Sequence, residues 1–365
     1  MKILAVDIGT GTQDIILFDT TGPIENSPKL VMPSATAINA GRIRRATKAR
    51  QPVVLSGVIQ GGGPCHWALE DHLRAGLRAF ATPDAATTFD DDLDAVREMG
   101  VTLVSEDEAA GTAGEQIMLR DLDIGAIRAA LGAFDVDAGF DGYAVGCLDH
   151  GASPPGYSDR LFRFDHLRRV VEAENDLRAF AYLPEELPDY LTRAAAVLGC
   201  IEADGPTVFL DTGPAAALGA LPDRGGAAED EAFVLNLGNM HALAFRLRGT
   251  RIVSLYEHHT GEMSDAMIED FSRRLAAGSL RHEEVFGSKG HGAFYAEDGG
   301  HGEDEPLLIA VTGPQRSRIG GTRLERVYFA APHGDMMLSG AFGMLRAFAY
   351  RFPEFGEEIE RRLVG

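Results

Sequence analysis

Two short segments, far apart in the chain, share one plan, and this repeat constrains the fold more than any other feature. Residues 7–19 (DIGTGTQDIILFD) and 236–247 (NLGNMHALAFRL) each place a polar residue and a glycine-containing turn between two apolar strands. A tight hairpin needs glycine for its backbone geometry alone. A phosphate site needs glycine so that an anion can approach backbone N–H groups. Two copies of such a hairpin predict a duplicated domain.

Strand-like and helix-like segments alternate along the rest of the chain, which predicts an α/β fold with largely buried sheets. A chain of 365 residues is expected to form two domains. Three breaks are rich in Gly, Pro and Asp, and the second is the best candidate for a crossing between domains: 151–159, 222–230 and 298–306. The strand-like segments are KILAVDI, QDIILFD, PVVLSGVI, GYAVGCL, PTVFLD, FVLNLG, HALAFRL, RIVSLYE and PLLIAVTG, and the helix-like ones HWALEDHLRAGLRAF, IGAIRAALGAF, LPDYLTRAAAVLG, MSDAMIEDFSRRLAAG and SGAFGMLRAFAYRF.

Composition excludes several classes of partner. The formal net charge is −21, which argues against a nucleic-acid or anionic-membrane surface, since either needs a basic patch. The one short basic cluster, residues 41–50 (GRIRRATKAR), is predicted to be a solvated loop, with contact to a phosphate ligand as the alternative. No apolar run reaches about 18 residues, and the first residues do not resemble a signal peptide, so we expect a cytoplasmic protein.

The cysteines are few and scattered. Cys65, Cys147 and Cys200 form no Cys-x-x-Cys pair and no triplet that could hold an iron–sulfur cluster. This pattern fits a reducing compartment. It also argues against a radical enzyme of the kind that carries a Cys-x-x-x-Cys-x-x-Cys cluster site.

Five segments, in order, resemble those with which actin, the heat-shock ATPases and the sugar kinases hold ATP. The two hairpins resemble the two phosphate motifs. LDTGPAAALGAL (210–221) resembles the first connecting helix, IAVTGPQRSRI (309–319) the adenosine motif, and FAAPHGDMMLSGAFGML (329–345) the second connecting helix. The resemblance implies a two-domain, actin-like (ribonuclease H-like) fold with a duplicated core, an interdomain cleft, and ATP and Mg²⁺ as cofactors. Domain I would span 1–222, with 330–365 returning to it, and domain II 223–329.

The first hairpin would supply most of the phosphate contacts. In the fold that it resembles, the carboxylate at Asp7 orients water around Mg²⁺, a cation that keeps most of its waters. Gly9, Thr10, Gly11 and Thr12 would offer N–H groups and hydroxyls to the phosphates. The alternative is a turn Asp in an ordinary hairpin.

Two further residues are candidates for catalysis, each with a structural alternative. Gln13 could orient an attacking water or simply close the hairpin. Asp211 lies where related ATPases and kinases carry a general base or water-positioning carboxylate. Aligned on the AAAL run, however, the usual acid position falls on Thr212, and Asp211 could instead cap the following helix.

The second hairpin departs from the ATPase pattern. Asn236 stands where such enzymes carry Asp as a metal residue, and His241 stands where they carry Thr or Ser. Gly238 and Asn239 would contact the nucleotide. Asn can hydrogen-bond a hydrated metal but brings no charge. His241 could contact a phosphate as imidazolium or be a satisfied polar residue at a hairpin tip. Altered catalysis, nucleotide sensing without turnover, and a different phosphorylated ligand all follow as hypotheses.

The adenosine-type turn supplies the last nucleotide contacts. The resemblance implies that Gly313, Gln315 and Arg316 lie against adenine and ribose, where Arg stacks well on a base. The alternative is a strand-to-helix turn that uses Gly for its geometry.

Three features lie outside this pattern. GVIQGGGPCHW (57–67) is a glycine-rich loop that opens a helix, where an anion could bind and the pKa of Cys65 could fall; a tight turn with a half-buried thiol is the alternative. CLDHG (147–151) places Asp149 and His150 at a strand end, the usual position for site residues. EHHTGEM (257–263) and APHGD (331–335) could contribute to a divalent-metal site, although adjacent His258 and His259 would point to opposite faces of a strand.

The whole chain also resembles a prokaryotic family labelled "putative pyruvate formate-lyase activating enzyme", although it lacks the cysteine motif that such activity requires. The sequence therefore predicts an ATP-dependent phosphotransferase or ATPase of unknown substrate. The alternative is a non-catalytic nucleotide-binding protein that regulates or activates a partner. A nucleotide and an unknown second substrate or protein are the expected partners.

Overall fold

Sixteen strands and thirteen helices are present in the computed structural model, which describes residues 1–202, 205–221, 231–297 and 308–364. The strands are β1 (Lys2–Ile8), β2 (Thr12–Asp19), β3 (Lys29–Pro33), β4 (Val53–Gly57), β5 (Ala79–Ala81), β6 (Val101–Leu103), β7 (Glu115–Leu119), β8 (Gly142–Cys147), β9 (Ala181–Tyr182), β10 (Thr207–Leu210), β11 (Glu231–Leu237), β12 (His241–Arg248), β13 (Arg251–His259), β14 (Gly292–Tyr295), β15 (Ile309–Thr312) and β16 (Val327–Phe329). The helices are α1 (Ala35–Ala49), α2 (Pro64–Arg74), α3 (Pro83–Ala86), α4 (Leu93–Glu98), α5 (Glu106–Gly111), α6 (Ile124–Gly132), α7 (Asp159–Ala173), α8 (Thr192–Gly199), α9 (Thr212–Ala220), α10 (Asp265–Ala277), α11 (His282–Gly287), α12 (Ser339–Arg351) and α13 (Pro353–Val364).

Five strands in each of two six-stranded sheets repeat one topology, and the sixth strand lies at opposite edges of the two sheets. The first has the order β3-β2-β1-β8-β10-β9 and the second the order β14-β13-β12-β11-β15-β16. In each sheet an antiparallel three-strand meander (β1 to β3, or β11 to β13) is followed by two strands that run parallel to its first strand. This confirms the predicted α/β fold with a duplicated core, and β1 and β11 occupy equivalent places.

The composition of these central strands explains their position. Residues 3–8 of β1 and 232–237 of β11 are buried throughout, since helices or neighbouring strands cover both faces. A strand buried on both faces needs an almost continuous apolar sequence. Asp7 and Asn236 interrupt that sequence near the carboxyl end of each strand, at equivalent positions of the two hairpins.

A third sheet is inserted into the first half of the chain, between β3 and β8. Its four strands are all parallel, in the order β6-β5-β4-β7, and they pack with α1 and α2 around a separate hydrophobic core. The prediction of a solvated loop at 41–50 is wrong, because these residues form the second half of α1. Ser34 caps that helix, and Ala40, Ile43 and Ala46 face the inserted core while the arginines and lysine point outward.

Helices α9 and α12 cross in close contact beneath the two sheets. A methyl group on Gly219 would lie 1.8 Å from the backbone oxygen of Ser339, and one on Gly343 would lie 1.9 Å from that of Ala215. The two backbones therefore touch without intervening side chains. Helix α12 also packs on β1, β8 and β10 of the first sheet.

Two of the predicted chain breaks, 222–230 and 298–306, lie outside the described residues. In the part of the chain that is described, no helix has both the length and the apolar character needed to cross a membrane.

Candidate functional site

The tips of the two repeated hairpins meet in the cleft between the sheets. The first turn is closed by a hydrogen bond from the Gly9 amide to the Thr12 carbonyl at 2.9 Å, and the second by one from the Gly238 amide to the His241 carbonyl at 3.0 Å. A methyl group on Gly11 would lie 2.5 Å from the side-chain nitrogen of Asn239. The two turns thus have the same hydrogen-bond pattern, and they lie within side-chain reach of each other.

The adenosine-type turn joins the second hairpin. The Gln315 amide donates to the Leu237 carbonyl at 2.9 Å, and its side chain donates to Asn239 Oδ1 at 3.1 Å. Gly313 has a φ of +93°, and a methyl group there would lie 2.4 Å from the Leu237 carbonyl oxygen and 2.6 Å from Asn236 Oδ1. Only glycine fits this position, because both the backbone conformation and the space exclude a side chain.

Arg316 takes a different direction from its two neighbours in that turn. Its guanidinium lies 5.8 Å from the centre of the Phe329 ring, against β16. Its Nη1 is buried and has no hydrogen-bond partner within the described residues. The structure therefore brings Gly313 and Gln315 to the hairpins and places Arg316 on an aromatic ring beside them.

Two buried aspartates lie side by side at the base of the first hairpin. Asp7 and Asp14 are direct partners in the β1–β2 pairing. Thr212 donates a hydrogen bond to Asp7 Oδ1 at 2.5 Å, yet burial raises the pKa of Asp7 to about 6. Burial, and then the charge of Asp7, raise the pKa of Asp14 to about 8. Asp14 Oδ1 has no hydrogen-bond partner among the described residues.

Gln13 and Asp211 have structural partners. Gln13 Nε2 donates to the Pro33 carbonyl at 3.0 Å, which ties β2 to β3. Asp211 Oδ1 accepts from the Gly213 amide at 3.0 Å and so caps α9. The Gln13 contact reaches the neighbouring strand β3 and does not cross the β1–β2 turn, while the Asp211 contact is a helix cap. A catalytic role for either residue stays a prediction.

Asp211 also belongs to a buried ion-pair network centred on Arg163 of α7. The Arg163 guanidinium donates through Nη2 to Asp211 Oδ1 at 3.1 Å and pairs with Oδ2 of the same residue through Nη1. Its Nε donates to Glu257 Oε2 at 3.2 Å, and Nη1 also donates to the Asp149 carbonyl at 3.3 Å. Arg163 and Glu257 are fully buried. Because Glu257 is in the second half of the chain, the network joins the two sheets.

Four histidines lie next to this network, and we refer to them as the four-histidine cluster. One ring nitrogen of each lies within 4.8 Å of all the others: His150, His241, His259 and His291. The Nε2–Nε2 distances are 3.1 Å between His150 and His241 and 3.1 Å between His259 and His291. His150 follows β8 in the first half of the chain, whereas the other three come from the ends of β12 and β13 and the residue before β14. Among the described residues, this is the one group of three or more metal-ligating side chains found within such distances.

The cluster is held from outside by hydrogen bonds to the second ring nitrogens. His291 Nδ1 lies 3.1 Å from Glu257 Oε2, and His259 Nδ1 lies 3.0 Å from the Lys289 carbonyl oxygen. Arg163 holds the pKa of Glu257 well below its usual range, so that the carboxylate is ionised. His258 points the other way, as the strand alternation predicts, with its Nε2 3.2 Å from Ser288 Oγ.

Burial favours the neutral form of three of these imidazoles. It lowers the pKa of His150 to about 3, and it lowers the pKa values of His241 and His259. The lowered pKa of His241 disfavours an imidazolium, because burial penalises a protonated ring and three other imidazoles lie beside it. A contact between His241 and a phosphate stays a prediction.

A cavity of about 910 Å³ opens beside the cluster. Its lining includes His150 and His241, the tip of the first hairpin at Thr10, the glycine-rich loop 60–63, the segment 87–93, and the loop 148–157 after β8. The predicted glycine-rich loop and the CLDHG strand end thus face the same space. Both carboxylate oxygens of Asp149 accept hydrogen bonds from the backbone, one from the Gly151 amide at 2.8 Å and one from the Ala194 amide at 2.9 Å.

The cysteines do not form a reactive group. Cys65 is fully buried in the inserted core, and burial raises its pKa to about 12, so the thiol is not activated by the start of α2. Burial also raises the pKa values of Cys147 and Cys200.

Two residues of this site could not be found by sequence reasoning. Arg163 lies in α7, a helix that the periodicity did not reveal because its apolar residues do not form one face. His291 lies in a short glycine-flanked segment, KGHG, with no apolar pattern. Its position between two glycines was the one available signal, and it is weak.

Comparison with solved structures gives distant similarities. A protein of Listeria monocytogenes described as "a putative N-acetylmannosamine kinase" is 11% identical, with a TM-score of 0.36, over 96% of this chain and 99% of that chain. The ROK hexokinase of Thermus thermophilus is 14% identical, with a TM-score of 0.23, over 69% of this chain and 48% of that one. No curated protein matches the chain.

A family model gives the identification. The model described as "Putative pyruvate format-lyase activating enzyme (DUF1786)" matches residues 60–318, which is more than half of the chain. The match includes three of the four strands of the inserted sheet (β5, β6 and β7), the loop after β8, the second hairpin and all four histidines of the cluster. This chain belongs to that family.

Proposed function

We propose that this protein binds a nucleotide with Mg²⁺ between its two hairpins and acts as an ATP-dependent phosphotransferase or ATPase. The observation that carries the proposal is the buried pair Asp7 and Asp14 at the base of the first hairpin. Two acidic side chains lie next to each other in a buried position, and one oxygen of Asp14 has no hydrogen-bond partner among the described residues. A hydrated divalent cation is the group that carboxylates of this kind suit.

Separate groups of residues would bind the ion, the phosphates and the nucleoside. Asp7 and Asp14 would hold the hydrated ion, and Thr212 would orient Asp7 through its 2.5 Å hydrogen bond. The amides and hydroxyls of residues 9–12, with Gly238 and Asn239, would contact the phosphates. Gly313 and Gln315 would line the nucleoside side. Bound Mg²⁺ supplies the charge stabilisation on which phosphoryl transfer depends.

The domain assignment belongs to the same proposal. Domain I would comprise residues 1–222 with 330–365, and domain II residues 223–329. Support comes from α12, which packs on three strands of the first sheet although it follows the second sheet in the chain. The boundary near 222 lies outside the described residues.

Calorimetric titration with ATP, with and without Mg²⁺, tests the proposal. The wild type is expected to bind in the micromolar range only with Mg²⁺, and Asp7→Asn to lose that binding. Asp19→Asn is the matched control, because Asp19 is at the far end of the same hairpin and bonds its own turn at Thr21. Equal binding by wild type and Asp7→Asn would refute the proposed site.

A second candidate function is nucleotide binding without turnover. It is favoured by Asp211, whose carboxylate is engaged by Arg163 and by the start of α9, and by Asn236, which brings no charge to the second hairpin. The two functions are separated by phosphate release from ATP. Release that depends on Mg²⁺ and is lost in Asp7→Asn would exclude the second function, and its absence in a protein that binds ATP would exclude the first.

A further inference from the structure

The ring nitrogens of the four-histidine cluster pose a hydrogen-bonding problem that the described side chains do not solve. A backbone carbonyl can only accept, so Nδ1 of His259 carries a proton toward Lys289. An ionised carboxylate can also only accept, so Nδ1 of His291 carries a proton toward Glu257. In a neutral imidazole the other nitrogen then has a lone pair. With one proton on each ring, the Nε2 atoms of His259 and His291 direct lone pairs at each other across 3.1 Å.

Two lone pairs at this distance repel unless a positive charge lies between them. Either a shared proton or a metal ion would supply it. A shared proton would satisfy one pair of rings, but four imidazoles converge here, with the His150 and His241 nitrogens also 3.1 Å apart. Convergence of four nitrogen donors on one point is the arrangement that a metal ion requires.

The distances agree with that interpretation. In a tetrahedral zinc site with Zn–N bonds of about 2.0–2.1 Å, neighbouring ligand nitrogens lie about 3.3 Å apart. The Nε2 atoms of His150 and His241 are 3.1 Å apart, as are those of His259 and His291, and the four ligand nitrogens all lie within 4.8 Å of one another. Small rotations of the rings would bring all four to equal distances from one centre.

The surroundings of the cluster match those of a metal site. Metal-bound histidines commonly donate their second N–H to a carboxylate or a backbone carbonyl, which fixes the ring and its tautomer. His291 does so to Glu257 and His259 to Lys289. The adjoining buried network contains Arg163 with two carboxylates and so carries one excess negative charge. A cation in the cluster would compensate it.

We propose that the four-histidine cluster binds one divalent first-row transition-metal ion at the wall of the cavity. Imidazole nitrogen suits zinc, cobalt, nickel, copper and iron, and oxygen-preferring Mg²⁺ is excluded by the ligand type. His150 and His241 line the cavity, which gives the ion an entry path and brings it to any small molecule that the cavity holds. The ion joins both halves of the chain, since His150 belongs to the first and the other ligands to the second. This site has different ligands from the proposed Mg²⁺ site at Asp7 and Asp14, and it binds a different ion.

The first experiment uses the wild-type protein alone. Protein without an affinity tag is stripped with a chelator, loaded with Zn²⁺, Co²⁺ or Ni²⁺ singly and without nucleotide, and passed over a desalting column. One ion per chain is expected by mass spectrometry of the metal. X-ray absorption of the zinc form is expected to show nitrogen ligands at about 2.0–2.1 Å. Failure to retain any of the three ions, or ligation by sulfur or by oxygen alone, would overturn the proposal.

The second experiment uses variants in a competition titration against a chromophoric chelator. The double variant His259→Gln with His291→Gln is expected to bind Zn²⁺ at least 100-fold more weakly than the wild type. His258→Gln, the neighbour that faces away, and His66→Gln, a half-buried residue of α2, are matched controls that should bind as the wild type does. Glu257→Gln tests a positioning role, with a 10- to 100-fold loss expected.

Two outcomes of the titration would contradict the proposal. One is a double variant that binds within a few-fold of the wild type, and the other is a loss of equal size in His66→Gln. Circular dichroism checks that each variant is folded, and if the double variant is not, the wild-type absorption spectrum decides alone. Because no nucleotide is present, failure here leaves the test of ATP binding unaffected, and the reverse also holds.

Discussion

Asp14→Asn is predicted to stabilise the protein in the absence of divalent cations, by an amount that grows with pH. Burial, the adjacent Asp7 and the nearby Asp335 raise the pKa of Asp14 from 3.8 to about 8 in the folded state. Between these values the folded protein keeps a proton that the unfolded chain has released. Stability therefore falls as pH rises through this range, because the unfolded state binds fewer protons.

The magnitude follows from the size of that pH window. From pH 5 to pH 8 the wild type loses about 1.4 kcal/mol per pH unit from this one group, or about 4 kcal/mol in all. Asparagine has no proton to lose, so its advantage over the wild type should grow by that amount. At about 2 °C per kcal/mol, the difference in Tm should widen by about 8 °C.

The assay is thermal and urea unfolding, followed by far-UV circular dichroism, at pH 5 and pH 8 in the presence of EDTA. Fluorescence is less suitable because Trp67, the single tryptophan, is in α2 of the inserted region rather than beside Asp14. Asp19→Asn should show no such widening, since hydrogen bonds from Thr21 lower the pKa of Asp19. A difference between Asp14→Asn and wild type that is the same at both pH values would refute the reasoning.

Three further substitutions test the packing and the ion network. Arg163→Met should cost about 3–5 kcal/mol in urea unfolding, because two buried carboxylates lose their partner, whereas Arg168→Met on the exposed side of α7 should cost under about 1 kcal/mol; equal losses would contradict the network. Gly219→Ala should cost about 3 kcal/mol by forcing α9 from α12, while Gly132→Ala, in open space on α6, should gain about 0.5–1 kcal/mol, and a reversed order would contradict the packing. Gly313→Ala should cost about 1–3 kcal/mol through its positive φ, and an unchanged midpoint would count against that turn geometry.

The duplicated core could be predicted from the sequence because its signals are local. The strands of both hairpins are continuous apolar runs, and each turn carries its own glycine, so nothing distant is needed to recognise them. The inserted sheet was harder to predict, since its strands β5 and β6 have three residues each and the second half of the neighbouring helix α1 is strongly basic. A basic run such as 41–50 resembles a loop in the sequence. Its helical character depends on Ala40, Ile43 and Ala46, which pack on a core that the sequence alone does not show.

The sequence could show which residues of the candidate site lie at strand ends, but it could not show which of them lie close together in space. His150, His241 and His259 each stood out at a strand end, but no local pattern shows that they converge, because they are separated by up to about a hundred residues and belong to two sheets. The alternation rule correctly separated His258 from His259. It gave no information on His291 or Arg163, whose roles depend on how the two halves of the chain pack together.

The placement of Arg163 has a consequence for the order in which the chain can assemble. Arg163 and Asp211 are both made before the second sheet, so their pair can form while Glu257 has yet to leave the ribosome, and the first half can close with this charge neutralised. Glu257 then arrives with the second half and adds a negative charge to a site from which water is being excluded. Folding of the second half onto the first is therefore expected to be faster where a positive charge is available at the histidines.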